Sequence, residues 1–226
     1  SAPMVASISP AHRAKPTILV TGFDAFDGAN TNPSWLVAQK LAGSHIAGHA
    51  VVAVCLPVVF GRAAEELTRQ VRQLRPSVVL CLGLAGGRCA VSFERVAINV
   101  DDARIADNAG ARPIDTAVVQ GGPAAYFSSL PIKAMCSAAQ NTGTAAEISQ
   151  TAGTFVCNHV FYALMHTLAN TPDLRHTRGG FVHLPWLPGQ GHPHMPLESM
   201  VPGLRAALEC ALATHKDIAH AGGALH

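Results

Sequence analysis

The sequence has few charged residues, and those present nearly cancel. Asp, Glu, Lys and Arg make up 13% of the 226 residues, about half of the roughly 25% typical of globular proteins. With 16 Lys and Arg against 14 Asp and Glu, the formal net charge is +2. So apolar a composition argues against intrinsic disorder. So small a net charge excludes the strongly basic surface typical of nucleic-acid-binding domains.

Long apolar runs are also absent. The longest covers residues 50–60 and contains Pro57, whereas a membrane-spanning helix needs about 20 apolar residues. The start of the sequence has no cationic stretch followed by an apolar core, so we expect no secretory signal there. We therefore predict a protein that does not enter a membrane.

Motifs for metals and phosphate-bearing cofactors are missing. None of the six cysteines forms a CxxC pair, and no HExxH, GxGxxG or GxxxxGK[ST] motif occurs, which removes the common zinc, thioredoxin and nucleotide signatures. Three cysteines lie inside apolar runs, as core thiols do, and a chain of this length needs no disulfide to fold. We predict reduced cysteines, a cytoplasmic location, no metal and no cofactor.

Apolar runs and helical patterns alternate along the chain. The predicted strands are residues 17–21, 51–56, 78–84, 91–100, 147–150 and 181–184, and the predicted helices are residues 33–41, 62–74, 132–141, 155–169 and 200–215. Strands that are apolar on both faces and separated by helices indicate a largely parallel sheet covered by helices. We predict one α/β domain at residues 16–215, with a mixed, mostly parallel, twisted sheet sandwiched between helices.

Three segments fall outside this pattern. Residues 1–15 are predicted to be a flexible N-terminal arm and residues 216–226 a frayed C-terminal tail. Residues 101–123 form a long polar loop, which in a compact domain is usually functional or an assembly arm. In the last helix, Pro202 is expected in the first turn, where proline is tolerated.

Cys157 is the first candidate for chemistry. Thr154 is a plausible N-cap, which places Cys157 in the first turn of the following helix. Free N–H groups and the helix dipole there favour an anion, so the pKa of the thiol should fall, and the same N–H groups could serve an oxyanion. The alternative is that Cys157 is a small core residue beneath an apolar helix.

A thiolate nucleophile needs a histidine that is oriented by a third group. His159 lies two residues away and cannot face Cys157 on a helix. His183 ends a predicted strand, where sites gather in open α/β sheets, although it could instead be a core histidine. The candidates for the third group are four carboxylates: Glu94, Asp101, Asp102 and Asp107. The nearby His192 and His194 have only Glu198 as a carboxylate neighbour and favour a surface loop over a metal site.

Five stretches occur in a fixed order along residues 17–210. They are 21–26 (TGFDAF) with 32–34 (NPS), 86–88 (GGR), 94–99 (ERVAIN) with 102–104 (DAR), 153–159 (GTFVCNH) and 179–185 (GGFVHLP). In content and order they resemble the pyroglutamyl-peptidase I family of cysteine peptidases, also called pyrrolidone-carboxylate peptidases. The resemblance implies removal of N-terminal pyroglutamyl residues from peptides through a thioester acyl-enzyme.

The resemblance also implies roles for individual residues. Cys157 would be the nucleophile, His183 the base and Glu94 the carboxylate that orients it. The implied substrate-binding residues are Phe23 and Phe26 on the ring, Asn32 supporting their loop, Arg104 near the site, and main-chain groups near Leu84 and Phe155 for the lactam. The implied assembly is a homotetramer.

Two departures from the family pattern are visible. The family often has Pro-Phe-Gly where this chain has Ala25-Phe26-Asp27, and Gln where it has Leu84. A side-chain contact from position 84 would be lost, whereas a main-chain contact would survive. Two alternatives from other classes are a nucleotide- or nucleobase-binding α/β protein that uses residues 83–88 as its phosphate loop, and a binding module in which Cys157 is unreactive.

Overall fold

The computed structural model describes residues 15–224, so the predicted arm at residues 1–15 lies outside the described residues except for Lys15. The strands of this part are β1 Thr17–Phe23, β2 His45–Ile46, β3 His49–Leu56, β4 Val78–Leu84, β5 Val91–Glu94, β6 Val96–Ile98, β7 Ala125–Phe127, β8 Ala146–Ser149 and β9 Arg178–Leu184. The α-helices are α1 Pro33–Leu41, α2 Arg62–Leu74, α3 Ile132–Asn141, α4 Val156–Asn170 and α5 Leu197–Ala213.

Seven of these strands form one mixed sheet in the order β2-β3-β1-β4-β9-β5-β8. Strands β3, β1, β4 and β9 run parallel to one another, and β5 runs parallel to β8 but antiparallel to β9. The short strand β2 adds an antiparallel edge to β3. The predicted α/β fold with a mixed, mostly parallel sheet is confirmed.

Both faces of the sheet are buried under helices. In β1, Ile18 and Val20 pack into the layer that contains α1, α3 and α5, while Leu19 and Phe23 pack into the layer that contains α2 and α4. Alternate side chains of a strand point to opposite faces, so a strand apolar at every position removes apolar surface from water on both sides. This burial is the main force that holds the layers together.

The predicted strand at residues 91–100 is in fact two strands in different sheets. Strand β5 ends at Glu94, and β6 pairs with β7 in a separate two-stranded sheet. At Arg95 the backbone changes partners: its N–H donates to the Ser149 carbonyl and its carbonyl accepts from the Ser128 N–H. Glu94 is therefore the last residue of the main sheet on this strand.

The last helix begins earlier than predicted. Helix α5 starts at Leu197, and Pro202 lies inside it instead of in its first turn. Proline has no N–H, so Pro202 cannot donate the helical hydrogen bond to the Glu198 carbonyl. The helix ends at Ala213, before the predicted end at residue 215.

Side-chain carboxylates hold the irregular segments. Within residues 101–123, Asp107 accepts hydrogen bonds from the Phe60, Ala109 and Ala111 N–H groups. In the tail, Asp217 accepts from the N–H groups of Lys133 and Ala134 at the start of α3 (3.0 and 2.8 Å). The tail predicted to fray thus has one anchor that the sequence did not suggest.

No helix in residues 15–224 combines the length and apolar character needed to cross a membrane. The same residues contain no group of three or more His, Cys, Asp or Glu side chains placed to hold a metal ion.

Candidate active site

Cys157 is the second residue of α4 and lies in its first turn, as predicted. Thr154 is not the N-cap: Phe155 holds that position without a side-chain hydrogen bond. The Thr154 hydroxyl instead donates to the Asp102 carbonyl (2.8 Å), and the Asp102 N–H donates to the Thr154 carbonyl. Thr154 therefore ties the start of α4 to the long loop.

Gly83 makes the room that the Cys157 sulfur occupies. A Cβ at residue 83 would lie 2.6 Å from Cys157 Sγ and 2.9 Å from Phe181 Cζ. The thiol thus packs directly on the end of β4. Gly83 is one of the glycines that could have belonged to a phosphate loop, and its observed role is to admit the sulfur.

Strand register brings His183 and Glu94 to the same place. His183 pairs with Gly83 on one side and with Ser92 on the other. Its Nδ1 lies 3.0 Å from Glu94 Oε1, and the two side chains are 5% and 0% exposed. An ionised carboxylate can only accept, so Nδ1 carries the proton and Nε2 is the nitrogen left for chemistry.

The environment favours the uncharged forms of both the thiol and the imidazole. Burial raises the pKa of Cys157 to about 12, and the negative charge of Glu94 adds to that effect. Burial lowers the pKa of His183, although its contact with Glu94 opposes the change. The expectation from the helix dipole that the pKa of the thiol falls is wrong, because desolvation of a thiolate outweighs the dipole here.

Arg88 is a member of the site that sequence reasoning did not assign. Its Nη1 lies 2.6 Å from Glu94 Oε1 and 3.2 Å from Ser149 Oγ, and its Nη2 donates to the Thr151 carbonyl (2.8 Å). The other oxygen, Glu94 Oε2, is buried with no hydrogen-bond partner in residues 15–224. The available signal was the arginine of the stretch at 86–88, but nothing local shows that it reaches Glu94.

A narrow apolar pocket opens beside the thiol. Its lining consists of Phe23, Phe26, Asn32, Val58, Leu84, Phe155, Val156 and Cys157. Five of the six proposed substrate-binding residues are thus brought together, and Val58 joins them. The rings of Phe26 and Phe155 have centroids 6.1 Å apart.

Asn32 holds the loop between β1 and α1, which carries Phe26. It caps α1, with its Oδ1 accepting from the Ser34 N–H (3.0 Å) and hydroxyl (2.7 Å). Its Nδ2 donates to the Asp24 carbonyl (3.1 Å), and Ser34 Oγ accepts from the Phe23 N–H (2.9 Å). Asn32 is thus the N-cap of α1, and the same side chain fixes the path from Phe23 to the helix.

A wider groove of about 620 Å³ adjoins the pocket and shares Phe26, Leu84 and Phe155 with it. Arg104, the sixth proposed substrate-binding residue, is exposed on this groove and absent from the lining of the pocket. Trp186 also lines the groove and was not predicted. Its indole packs where Cβ atoms on Gly86 and Gly191 would collide with it.

Comparison with known proteins decides the family. The sequence profile of pyroglutamyl peptidase matches residues 16–214. The chain is 56% identical to "Pyrrolidone-carboxylate peptidase 1" of Ralstonia nicotianae, over 93% of this chain and 100% of that one. It is 50% identical to "Pyrrolidone-carboxylate peptidase" of Klebsiella pneumoniae, over 92% and 99%.

Solved structures of similar fold point to the same family. The pyroglutamyl peptidase I of Bacillus amyloliquefaciens superposes with a TM-score of 0.88 at 38% identity, covering 92% of this chain and 100% of that one. The pyrrolidone carboxyl peptidase of Thermococcus litoralis gives 0.86 at 32%, covering 91% and 99%.

The chain belongs to the pyroglutamyl peptidase family. It is therefore a cysteine peptidase that removes N-terminal pyroglutamyl residues. The nucleotide-binding and binding-module alternatives are wrong.

Three other histidines that the sequence singles out lie away from Cys157. His159 Nδ1 contacts the Asp101 carboxylate (3.0 Å), and its Nε2 accepts from the Gly61 N–H (3.0 Å). Both ring nitrogens are thus engaged away from Cys157. His192 and His194 are exposed neighbours on a surface loop, as predicted.

Proposed function

We propose that Cys157, His183 and Glu94 are the residues that catalyse pyroglutamyl removal, through a thioester acyl-enzyme. The observation that carries this proposal is the buried 3.0 Å contact between His183 Nδ1 and Glu94 Oε1. It lies on the strand next to Gly83, against which Cys157 Sγ packs.

The reaction begins from the neutral pair. His183 Nε2 takes the thiol proton as the sulfur attacks the pyroglutamyl carbonyl carbon, and Glu94 stabilises the imidazolium that forms. N–H groups of the first turn of α4 stabilise the oxyanion. The imidazolium then gives its proton to the leaving amine. Water, deprotonated by His183, hydrolyses the thioester and regenerates the thiol.

The apolar pocket supports selection of the neutral lactam ring. Phe23, Phe26 and Phe155 offer ring contacts, and main-chain groups near Leu84 and Phe155 pair with the lactam N–H and C=O. Peptides that begin with Glu, Gln or Pro bring a charged nitrogen into an apolar pocket, which is costly without a partner. The wider groove with Arg104 and Trp186 receives the peptide beyond the ring.

The test of the nucleophile is hydrolysis of a pyroglutamyl anilide. We expect Cys157→Ala and Cys157→Ser to abolish turnover, because no other sulfur lines the pocket. Matched controls are Cys136→Ser and Cys210→Ser, which should keep wild-type turnover. Full activity in Cys157→Ala would contradict the mechanism.

Alkylation tests the protonation state of the same thiol. Cys89 is exposed, so the reaction is followed by mass spectrometry in a Cys89→Ser background. A thiol with a pKa of about 12 should react about tenfold faster for each pH unit between 7 and 9, without a plateau. A plateau would indicate a thiolate–imidazolium pair instead.

We also propose that the enzyme works in the cytoplasm as a homotetramer. The resemblance to the family supports the assembly, and so do the exposed apolar side chains of Ile114 and Phe127. The six unpaired cysteines support a reducing compartment.

A further inference from the structure

Glu94 carries a charge that the site must balance. Its side chain has no exposed surface, and an isolated buried carboxylate is strongly unfavourable. Two side chains approach the same oxygen, Oε1: His183 through Nδ1 at 3.0 Å and Arg88 through Nη1 at 2.6 Å. Only one of the two is permanently charged, because a guanidinium does not lose its proton in proteins.

We propose that Arg88 is a positioning residue that acts through Glu94, neutralising the buried carboxylate so that it orients an uncharged His183 imidazole. The inference rests on the proposed roles of Cys157 and His183. It adds a residue that reaches the reacting atoms only through Glu94.

The anchoring of Arg88 suits this role. Its Nη2 donates to the Thr151 carbonyl and its Nη1 also reaches Ser149 Oγ. Ser149 is the register partner of Glu94, and residue 151 lies on the segment that leads into α4. The planar guanidinium therefore holds its charge at a fixed place between the strand of the carboxylate and the approach to the nucleophile.

The charge balance sets the protonation of His183. Without Arg88, the Glu94 carboxylate would strongly stabilise the His183 imidazolium. With the Arg88 cation already beside it, the carboxylate stabilises a second cation, the imidazolium, less. The positive charge of Arg88 accordingly acts with burial to lower the pKa of His183. The other titratable groups nearby are Cys157, the Cys81 thiol beside it, and Glu147, which accepts from Ser92 Oγ (3.0 Å).

Two substitutions separate the charge of Arg88 from its hydrogen bonds. Arg88→Gln keeps a hydrogen-bond donor and removes the positive charge. Arg88→Lys keeps the positive charge and loses the planar guanidinium that donates through both Nη1 and Nη2. The matched control is Arg95→Gln, because Arg95 directly follows Glu94 but donates to Gln150 on the surface. The experiment measures kcat and KM for a pyroglutamyl anilide from pH 5 to 9, with thermal unfolding to confirm folding.

In Arg88→Gln we expect the acid limb of kcat/KM to move to higher pH by about one unit, a tenfold change in His183 protonation. At neutral pH, kcat should fall by about 10- to 100-fold with little change in KM. Arg88→Lys should keep the limb at its wild-type position, and Arg95→Gln should match wild type throughout.

Two results would overturn the inference. One is an acid limb of kcat/KM that stays at its wild-type pH in Arg88→Gln. The other is an acid limb that moves as far in Arg88→Lys as in Arg88→Gln. If Arg88→Gln does not fold, Arg88→Lys alone decides, since a displaced limb in a variant that keeps the charge contradicts the proposal. Failure of the proposed function is separately visible, as turnover retained by Cys157→Ala.

Discussion

Glu94 shows how one buried side chain sets the chemistry of its neighbours. Its charge raises the pKa of Cys157, while its hydrogen bond favours the imidazolium of His183. Burial of all three groups works against every charged form. These shifts favour a neutral thiol and a neutral imidazole, and in the proposed mechanism the base therefore takes its proton during the attack.

Removing the charge of Glu94 should therefore move the pH profile in the direction opposite to removing Arg88. In Glu94→Gln the imidazolium loses its stabilising partner, so the acid limb of kcat/KM should shift to lower pH. The rate should still fall by roughly 10³–10⁴, because the amide no longer selects the Nδ1–H tautomer. His183→Ala should cost at least as much.

The measurement is kcat/KM for the anilide between pH 5 and 9 in both variants, with unfolding curves as the folding control. A near-wild-type rate in Glu94→Gln would transfer the orienting role to another carboxylate. Asp101 is already paired with His159, which makes Asp102 the remaining candidate beside the groove.

At the scale of elements, the pocket depends on how α1 begins. The side chain of Asn32 caps the helix and holds the Asp24 carbonyl, so one residue sets the loop on which Phe26 lies. Ser34 extends the same network to the Phe23 N–H. Helix capping and the position of the proposed substrate-binding ring of Phe26 are thus coupled through a few hydrogen bonds.

Asn32→Ala should weaken substrate binding more than the chemical step. Loss of the cap costs about 1–2 kcal/mol of stability, and the loosened loop should raise KM for the anilide several-fold with a smaller change in kcat. The matched control is Asp217→Ala, which removes the side-chain acceptor at the start of α3, a helix with no residue in the lining of the pocket. It should lower Tm comparably and leave KM unchanged. An equal rise of KM in both variants would contradict the coupling.

The sequence predicts the elements that local patterns define and misses those that distant partners create. Apolar runs predict β1, β3 and β4, and the Asn32-Pro33 pair predicts the start of α1. The break after Glu94 was not foreseen, because β6 leaves the main sheet to pair with a segment nearly 30 residues away. The residues around Glu94 do not indicate a pairing partner so far along the chain.

The candidate site divides in the same way. The resemblance to the family suggested Cys157, His183 and Glu94 before any geometry was known. The contact of Arg88 with Glu94 and the fit of Gly83 to the sulfur depend on strand register. The direction of the Cys157 pKa shift could not be predicted either, because it follows from burial of the thiol, which the helix-dipole argument did not include.

For the whole molecule, the long loop at residues 101–123 is the feature that points outward. Backbone hydrogen bonds hold its first part: Asp101 and Thr116 exchange two (2.7 and 3.0 Å), and the Asp102 N–H donates to the Thr154 carbonyl just before α4. Ile114, between residues 101 and 116, is 69% exposed, and Phe127, on β7 after the loop, is 71% exposed. Single exposed apolar residues are common, but Ile114 on a tethered loop and Phe127 on β7 are suited to burial against another copy.

We therefore expect the protein to sediment at micromolar concentration with four times the 23.5 kDa mass of the chain. Ile114→Glu combined with Phe127→Glu should shift it to smaller species, because a carboxylate buried in an apolar contact lacks a partner. Ile218→Glu, at another exposed isoleucine, is the matched control and should leave the mass unchanged. Unfolding curves would confirm that each variant is folded. A wild-type monomer would contradict the tetramer, and a dissociated but fully active double variant would show that each chain carries a complete site.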